Sequence, residues 1–300
     1  MIKNPKVSVC VVTYNHEKYI RECLESIVTQ KCDFDFEVIV GEDCSTDNTR
    51  AIVQEYSDKY PNIIKPLLHE KNIGAMNNFL EVHKKAKGVL IASMDGDDFW
   101  YPGKLDYQIK LFEKNPDIVQ VWHCADIVDF KSNKINLFPS KIARLLYPRY
   151  INSKDIALSY ALVGQRSTQM FRAETYDINL LPTNALDYYG AFLISLNGKS
   201  FYSKKVFGAY RVVANNSLTT NLSNKKLTVD LLSEHLIELA QKYPQFIEET
   251  KANIVMRRFV AKLKGFDLEE IDKNLRKMSN IKTNLFLVLK SLYYFILQKI

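Results

Sequence analysis

Val89-Leu90-Ile91-Ala92-Ser93-Met94-Asp95-Gly96-Asp97-Asp98-Phe99-Trp100 decides how the chain is read. Val89 to Met94 is a short apolar run of the kind that a strand buried on both faces requires. It ends in three carboxylates within four residues, Asp95, Asp97 and Asp98. Carboxylates this close repel one another, which destabilises the chain unless a cation sits among them. Mg²⁺ or Mn²⁺ is typically held by one or two carboxylates, with substrate phosphates and water completing the octahedron. Gly96 allows a close backbone approach or a special turn. An acidic turn alone is common; its place straight after an apolar strand and before Phe99-Trp100 is what makes this one informative.

Working outward, the same strand signal recurs at Val7 to Val12, Phe36 to Val40, Ile63 to Leu68 and Val119 to Val128. Pro66 marks the third of these as an edge strand. Between them lie stretches with helical spacing: Tyr19, Ile20, Cys23, Leu24 and Ile27; then Ile52, Val53 and Tyr56, with Ser45 or Thr46 as the expected cap; then Phe79, Leu80 and Val82; then Leu105, Ile109 and Phe112. Strands alternating with such helices predict βαβ units and a parallel sheet. Ligands of these sheets bind beyond the carboxyl ends of the strands. Tyr14-Asn15, Glu42-Asp43 and Asp95 to Asp98 all occupy strand exits, so they are expected to converge in space. Residues 130–165 give no clear pattern. Residues 167–171 read as a short strand, Ala185 to Leu196 as a helix, Phe201 to Val213 as one or two strands, and the chain from about 225 onward as helical.

Taken alone, each cluster has two readings. Tyr14 offers an aromatic face for stacking on a nucleobase, or is a packed strand-end side chain. Glu42-Asp43-Cys44-Ser45-Thr46-Asp47 offers a carboxylate to a base edge, or is an acidic turn that starts a helix.

The combination is more specific than its parts. Val7 through Asn15, Glu42 through Asp47, Asn72-Ile73-Gly74 with Asn78, and Asp95 through Trp100, in this order and spacing, resemble the family 2 glycosyltransferases of GT-A fold. The match is strong over residues 1–125 and weaker over about 165–215. The resemblance implies an α/β, Rossmann-like nucleotide-binding sheet with flanking helices. It also implies a metal-dependent, inverting transfer of a sugar from a nucleotide diphosphate donor, commonly a UDP-sugar, to an acceptor hydroxyl. Tyr14 would stack on the base, Asp43 would bond its edge, Asp95 would contact the ribose or diphosphate, and Asp97 would bind Mg²⁺ or Mn²⁺, with Asp98 assisting. The family's carboxylate base starts a helix that leads to a Gly-Lys and a strand; Leu186-Asp187-Tyr188-Tyr189 followed by Asn197-Gly198-Lys199 fits that pattern and makes Asp187 the candidate base. An N-terminal helix carboxylate stabilised by the dipole is the alternative for Asp187. Tyr210-Arg211 resembles the family's Tyr-Arg pair, but Val213 stands where a His often follows. Arg211 therefore either assists the diphosphate or forms a structural ion pair. The implied acceptor is a glycan or lipid-linked glycan of a bacterial cell-surface polysaccharide such as capsule, O-antigen or lipopolysaccharide. A sugar nucleotidyltransferase would carry a Gly-rich, basic loop where Thr13-Tyr14-Asn15-His16 stands. A non-catalytic nucleotide-sugar or glycan binder would be favoured by loss of Asp97 or Asp187, and both are present.

The net charge of +7 lies entirely in residues 251–300, which hold 11 Lys/Arg and 4 Asp/Glu; residues 1–250 hold 30 of each. A neutral body excludes general nucleic-acid binding. The division expected is a catalytic domain over 1–220 and a basic helical extension over 221–300. In that extension Leu285 to Leu289 and Leu292 to Leu297 form two apolar runs around Lys290-Ser291. At 13 residues the stretch is short for a bilayer span, which takes roughly 20. It reads either as a core or homodimer helix, or as a helix lying in an anionic membrane interface. The five cysteines are scattered and odd in number, and Met1-Ile2-Lys3-Asn4-Pro5 leads straight into a strand pattern. The location expected from these features is cytoplasmic, with peripheral contact at the inner membrane.

Overall fold

A computed structural model describes residues 5–212 and 222–298. The first half of the chain is a run of strand–helix units: β1 (Val7–Thr13), α1 (Ile20–Val28), β2 (Phe36–Glu42), α2 (Thr49–Lys59), β3 (Ile64–Leu68), α3 (Ala75–Lys85) and β4 (Leu90–Asp95). There follow β5 (Phe99–Trp100), α4 (Lys104–Lys114), β6 (Ile118–Val128), β7 (Lys134–Phe138), α5 (Lys141–Leu146), β8 (Tyr150–Ile151), α6 (Ser153–Leu158), β9 (Met170–Arg172), α7 (Asp187–Ser195) and β10 (Lys199–Arg211). Four helices complete the described chain: α8 (Leu222–Lys242), α9 (Ile247–Leu263), α10 (Glu269–Arg276) and α11 (Leu285–Leu297).

The strands form one mixed sheet in the order β3-β2-β1-β4-β9-β6-β10-β5, with β7 on β6 and β8 on β10. The block β3-β2-β1-β4 is parallel, as the strand–helix alternation predicts. β3 lies at its edge, where Pro66 removes no ladder bond from a second neighbour. β9 runs antiparallel to both β4 and β6.

β1 is buried at nearly every position because the sheet is covered on both faces. Val7, Val9 and Val11 share a core with Ile20, Cys23, Leu24 and Ile27 of α1, whose spacing puts all four on one face. Cys10 points the other way, to Val82 of α3 and Ile194 of α7. The third core joins the second half of the sheet to the C-terminal helices: Trp122, Tyr188 and Phe192 pack with Leu236, Ile254 and Leu297. The expected boundary at 220/221, and Val213, lie outside the described residues.

The segment 130–165 that sequence reading left open is β7, α5, β8, α6 and a 3₁₀ turn at Tyr160–Leu162. One cap also differs from expectation. Ser45 Oγ and Thr46 N are occupied by the Asn15 backbone and side chain. α2 therefore starts at Thr49, whose N–H bonds Asp47 Oδ1 at 2.9 Å.

Candidate active site

The register of β1, β2 and β4 brings the three polar exits together. Thr13 lies opposite Glu42 and Val12 opposite Asp95. Tyr14, the first residue past β1, is 41% exposed. Asn15 takes a left-handed φ of 54°. Its N–H bonds Ser45 Oγ at 3.0 Å and its side-chain oxygen accepts from Thr46 N at 2.8 Å, so the loops after β1 and β2 are stapled to each other.

Asp43 is buried, and its carboxylate accepts from the N–H of Ile73 at 2.7 Å and of Gly74 at 3.0 Å. The Asn72-Ile73-Gly74 motif thus wraps the Asp43 carboxylate. Asn78 extends the same frame, donating to Gly41 O at 2.8 Å. A Cβ at Gly41 would stand 2.0 Å from Asn78 Oδ1, so glycine is required there.

The three aspartates at the β4 exit have different fates. Asp98 is buried; Arg211 N donates to its Oδ1 at 2.8 Å and Ser167 Oγ to its Oδ2 at 2.5 Å. Burial first, then repulsion from Asp97 and Asp95, pushes its pKa well up. It is a bracket between β4, β10 and the 3₁₀ turn Arg166–Thr168, not a free carboxylate. Burial also raises Asp95, to about 7; Arg166 opposes the shift, and Asp97 and Asp187 add to it. Asp97 is partly exposed, and among the described residues its carboxylate accepts no hydrogen bond. Gly96 serves close approach: a Cβ there would lie 2.6 Å from Thr13 Oγ1, so any larger residue would push the β4 exit off β1.

Asp187 is the first residue of α7. Arg166 reaches it with a short charge-assisted hydrogen bond to Oδ1 and lies 4.7 Å over the Phe79 ring. Burial works against the Arg166 charge, but Asp187 and Asp95 outweigh it and raise its pKa. One cation therefore faces the candidate base on one side and the β4 exit on the other. A cavity of about 30 Å³ beside the pair is lined by Met76, Phe79, Phe171 and Tyr176.

Arg166 and Ser167 escaped the sequence reading. The available signal was Gln165-Arg166-Ser167-Thr168, a polar run touching a strand end, like the clusters at 43 and 95. It stands before its strand and not after it. Because β9 is antiparallel, that end lies beside the β4 exit: Ser93 N bonds Gln169 O at 3.2 Å and Asp95 N bonds Ser167 Oγ at 3.1 Å. Arg211 is settled as structural. Its side chain is 1% exposed and donates to Asp97 O, Asp129 O, Ser132 Oγ and Glu22 Oε2. Its guanidinium also lies 4.6 Å over Tyr19.

Among the described residues no cluster of three His, Cys, Asp or Glu side chains is preformed to hold a metal. The donor set instead suits an ion that takes one or two carboxylates and completes its shell with phosphate and water. Asp97, free of internal hydrogen bonds, is the group available for it.

The sequence profile of Glycosyl transferase family 2 matches residues 8–173, β1 through β9. The chain belongs to glycosyl transferase family 2. An uncharacterized protein of Mycobacterium tuberculosis is 31% identical over 209 residues, 68% of this chain; the match spans 58% of that relative's length. A Bacillus subtilis protein named for teichuronic acid biosynthesis, TuaG, is 28% identical over 223 residues, 72% of this chain and 82% of its own. Of solved structures, S. aureus TarS 1-349 in complex with UDP superposes with a TM-score of 0.64 at 20% identity, over 98% of this chain and 88% of that one. The mannosyltransferase PcManGT of Pyrobaculum calidifontis, in complex with GDP-Man and Mn²⁺, superposes with a TM-score of 0.62 at 16% identity, over 98% and 81%. At these identities the likeness is one of fold, the GT-A architecture of family 2. The family profile ends before Asp187, so α7, β10 and the C-terminal helices of this glycosyltransferase are outside it.

Proposed function

We propose that this family 2 glycosyltransferase moves a sugar from a nucleoside diphosphate donor, of UDP type, to a hydroxyl of a glycan or lipid-linked glycan, with inversion, in assembly of a bacterial cell-surface polysaccharide. The observation that carries the reading is the opposition of two walls. Tyr14, Asp43, Asp95 and Asp97 stand at parallel strand exits, and Asp187 with Arg166 stands across from them.

In this reading Tyr14 stacks on the nucleobase. Asp43, with one oxygen on Ile73 N and the other on Gly74 N, offers the lone pairs it has left to the base edge. Asp95 faces the ribose or diphosphate. Asp97 would hold Mg²⁺ or Mn²⁺ together with donor phosphate oxygens, and such an ion supplies charge neutralisation to the departing diphosphate. The Asp187 carboxylate takes the proton of the acceptor hydroxyl as its oxygen bonds the anomeric carbon. The bond from that carbon to the diphosphate oxygen breaks, and the electron pair leaves with the nucleoside diphosphate. TarS in complex with UDP, and PcManGT in complex with GDP-Man and Mn²⁺, support the donor class and the metal. The name of TuaG supports the polysaccharide setting.

Thermal-shift measurements with UDP-, GDP- and dTDP-sugars, each with and without Mn²⁺, test the donor, because a ligand that binds only the folded state raises the midpoint. A midpoint shift with a UDP-sugar that requires Mn²⁺ is expected. No shift with any donor sinks the reading, and a shift with a GDP- or dTDP-sugar alone corrects the base. The anomeric configuration of the product, read by NMR, decides inversion.

A further inference from the structure

Helix α11 is apolar on its covered face and on its exposed face alike. Leu285, Phe286, Leu289, Tyr293 and Ile296 form one arc of the helix and are 47% to 72% exposed. The covered face packs Leu287, Val288, Tyr294 and Leu297 on the core, and the polar groups of the helix are used within the protein: Ser291 is fully buried and donates to Leu158 O at 2.7 Å, and Lys290 bonds Asp155 Oδ1 at 3.0 Å. A surface helix in water carries polar residues on its outer face. Beside it α5 presents Ile142, Leu145 and Leu146, which are 50% exposed or more, and the two helices are in contact. An exposed apolar surface of this kind marks an interaction site.

The two chain segments that carry it are basic. Residues 131–154, which include α5, hold six Lys/Arg and no Asp/Glu; residues 273–300, which include α11, also hold six and none. The acidic groups that reach the α11 segment, Asp155 and Glu248, are bonded to Lys290 and Asn284.

We propose that α5 and α11 together form a docking face that lies in the headgroup boundary of an anionic lipid bilayer, apolar side chains inserted and the basic border on the lipid phosphates. Apolar insertion plus attraction to anionic lipid is how helices of this type bind. A second copy of the chain is the poorer occupant, because apposing two such faces brings two basic borders together without acidic partners. Crossing the bilayer is excluded for α11, since no described helix is long and apolar enough. The face also lies on the Asp187 side of the molecule. α11 packs on the 3₁₀ turn Tyr160–Leu162, whose Tyr160 ring lies 5.8 Å from that of Tyr188, the residue after Asp187.

Co-sedimentation of the full chain with vesicles tests the face without reference to transferase activity. Wild-type protein is expected to pellet with phosphatidylcholine vesicles containing phosphatidylglycerol at low salt, and less at high salt. It should pellet poorly with phosphatidylcholine alone. The pair Phe286→Glu and Leu289→Glu should weaken binding by about tenfold or more, and so, independently, should Ile142→Glu with Leu145→Glu. All four side chains are already exposed, so the thermal midpoints should stay near wild type. Wild-type protein that stays in the supernatant at low salt overturns the proposal, as does binding that neither pair of changes weakens. A dimer in analytical ultracentrifugation that the same changes dissociate, with no vesicle binding, gives the face to a second copy instead.

Discussion

Asp97 and Asp187 stand on two walls of the candidate site that are built differently. The wall of Asp97 is made by parallel register: Thr13, Glu42 and Asp95 are held in line by β1, β2 and β4, and Asn15, Asn78 and the 72–74 turn bond its loops to one another. The wall of Asp187 is made by a helix start and one long-range side-chain partner, Arg166. The difference teaches where each wall is vulnerable. The strand-exit wall has many redundant bonds, so a change there acts through the group it presents and not through collapse of the frame. On the helix wall, one cation both orients the candidate base and faces the aspartates opposite.

The largest effect is expected from Asp97→Ala. Among the described residues its carboxylate accepts no hydrogen bond, so the thermal midpoint should hold. Turnover should fall by about 10³-fold or more if the group holds an ion that stabilises the leaving diphosphate. Steady-state rates and Mn²⁺-dependent donor binding check this; near wild-type activity in metal-free buffer would remove the metal from Asp97.

Asp187→Asn comes next. A lost general base lowers kcat by about 10²-fold or more, with donor affinity little changed. Loss of donor affinity with normal turnover would move Asp187 to the donor side and erase the contrast between the walls.

Arg166→Ala should lower kcat by about tenfold through misorientation of Asp187, leaving the donor KM near wild type. Arg166→Lys, which keeps the charge but not the planar fork, should recover part of the loss. Equal kcat in all three proteins would mean that the ion pair orients nothing.

The smallest effect belongs behind the strand-exit wall. Lys104 is fully buried, its ammonium nitrogen has no hydrogen-bond partner among the described residues and it lies 3.6 Å over the Trp100 ring. Burial pushes its pKa well below the usual 10.5. The unfolded chain therefore holds that proton more tightly, and stability lost at neutral pH returns as pH rises toward the unfolded value. Lys104→Met should raise the midpoint by about 2–4 °C at pH 7 with unchanged kcat, and the gain should shrink toward pH 10. A destabilised variant at pH 7 would show that the contact with Trp100 outweighs the burial.

Much of the strand-exit wall was legible in the sequence. β1, β2 and β4 read as apolar runs because they are covered on both faces, and each polar cluster follows its strand directly. Arg166 and Ser167 were not legible, since their strand runs the other way and their polar run precedes it. Asp98 was expected to assist Asp97; its enclosure by Ser167 and Arg211 was not legible.

The sequence by itself determined the strand–helix alternation, the parallel block, the edge position of β3 and the three exits, because chain direction and strand burial decide which end of a parallel sheet is polar. Tertiary structure alone decided the pairings between residues remote in sequence. Arg166 meets Asp187 across 21 positions and Arg211 meets Asp98 across 113. It also decided that Ser291, Tyr294 and Leu297 of α11 are covered while Leu285, Phe286 and Leu289 are exposed. The sequence of α11 is apolar nearly all round; which face meets the protein depends on what the rest of the chain offers to pack Tyr294 and Leu297 and to bond Lys290 and Ser291, and no local pattern carries that.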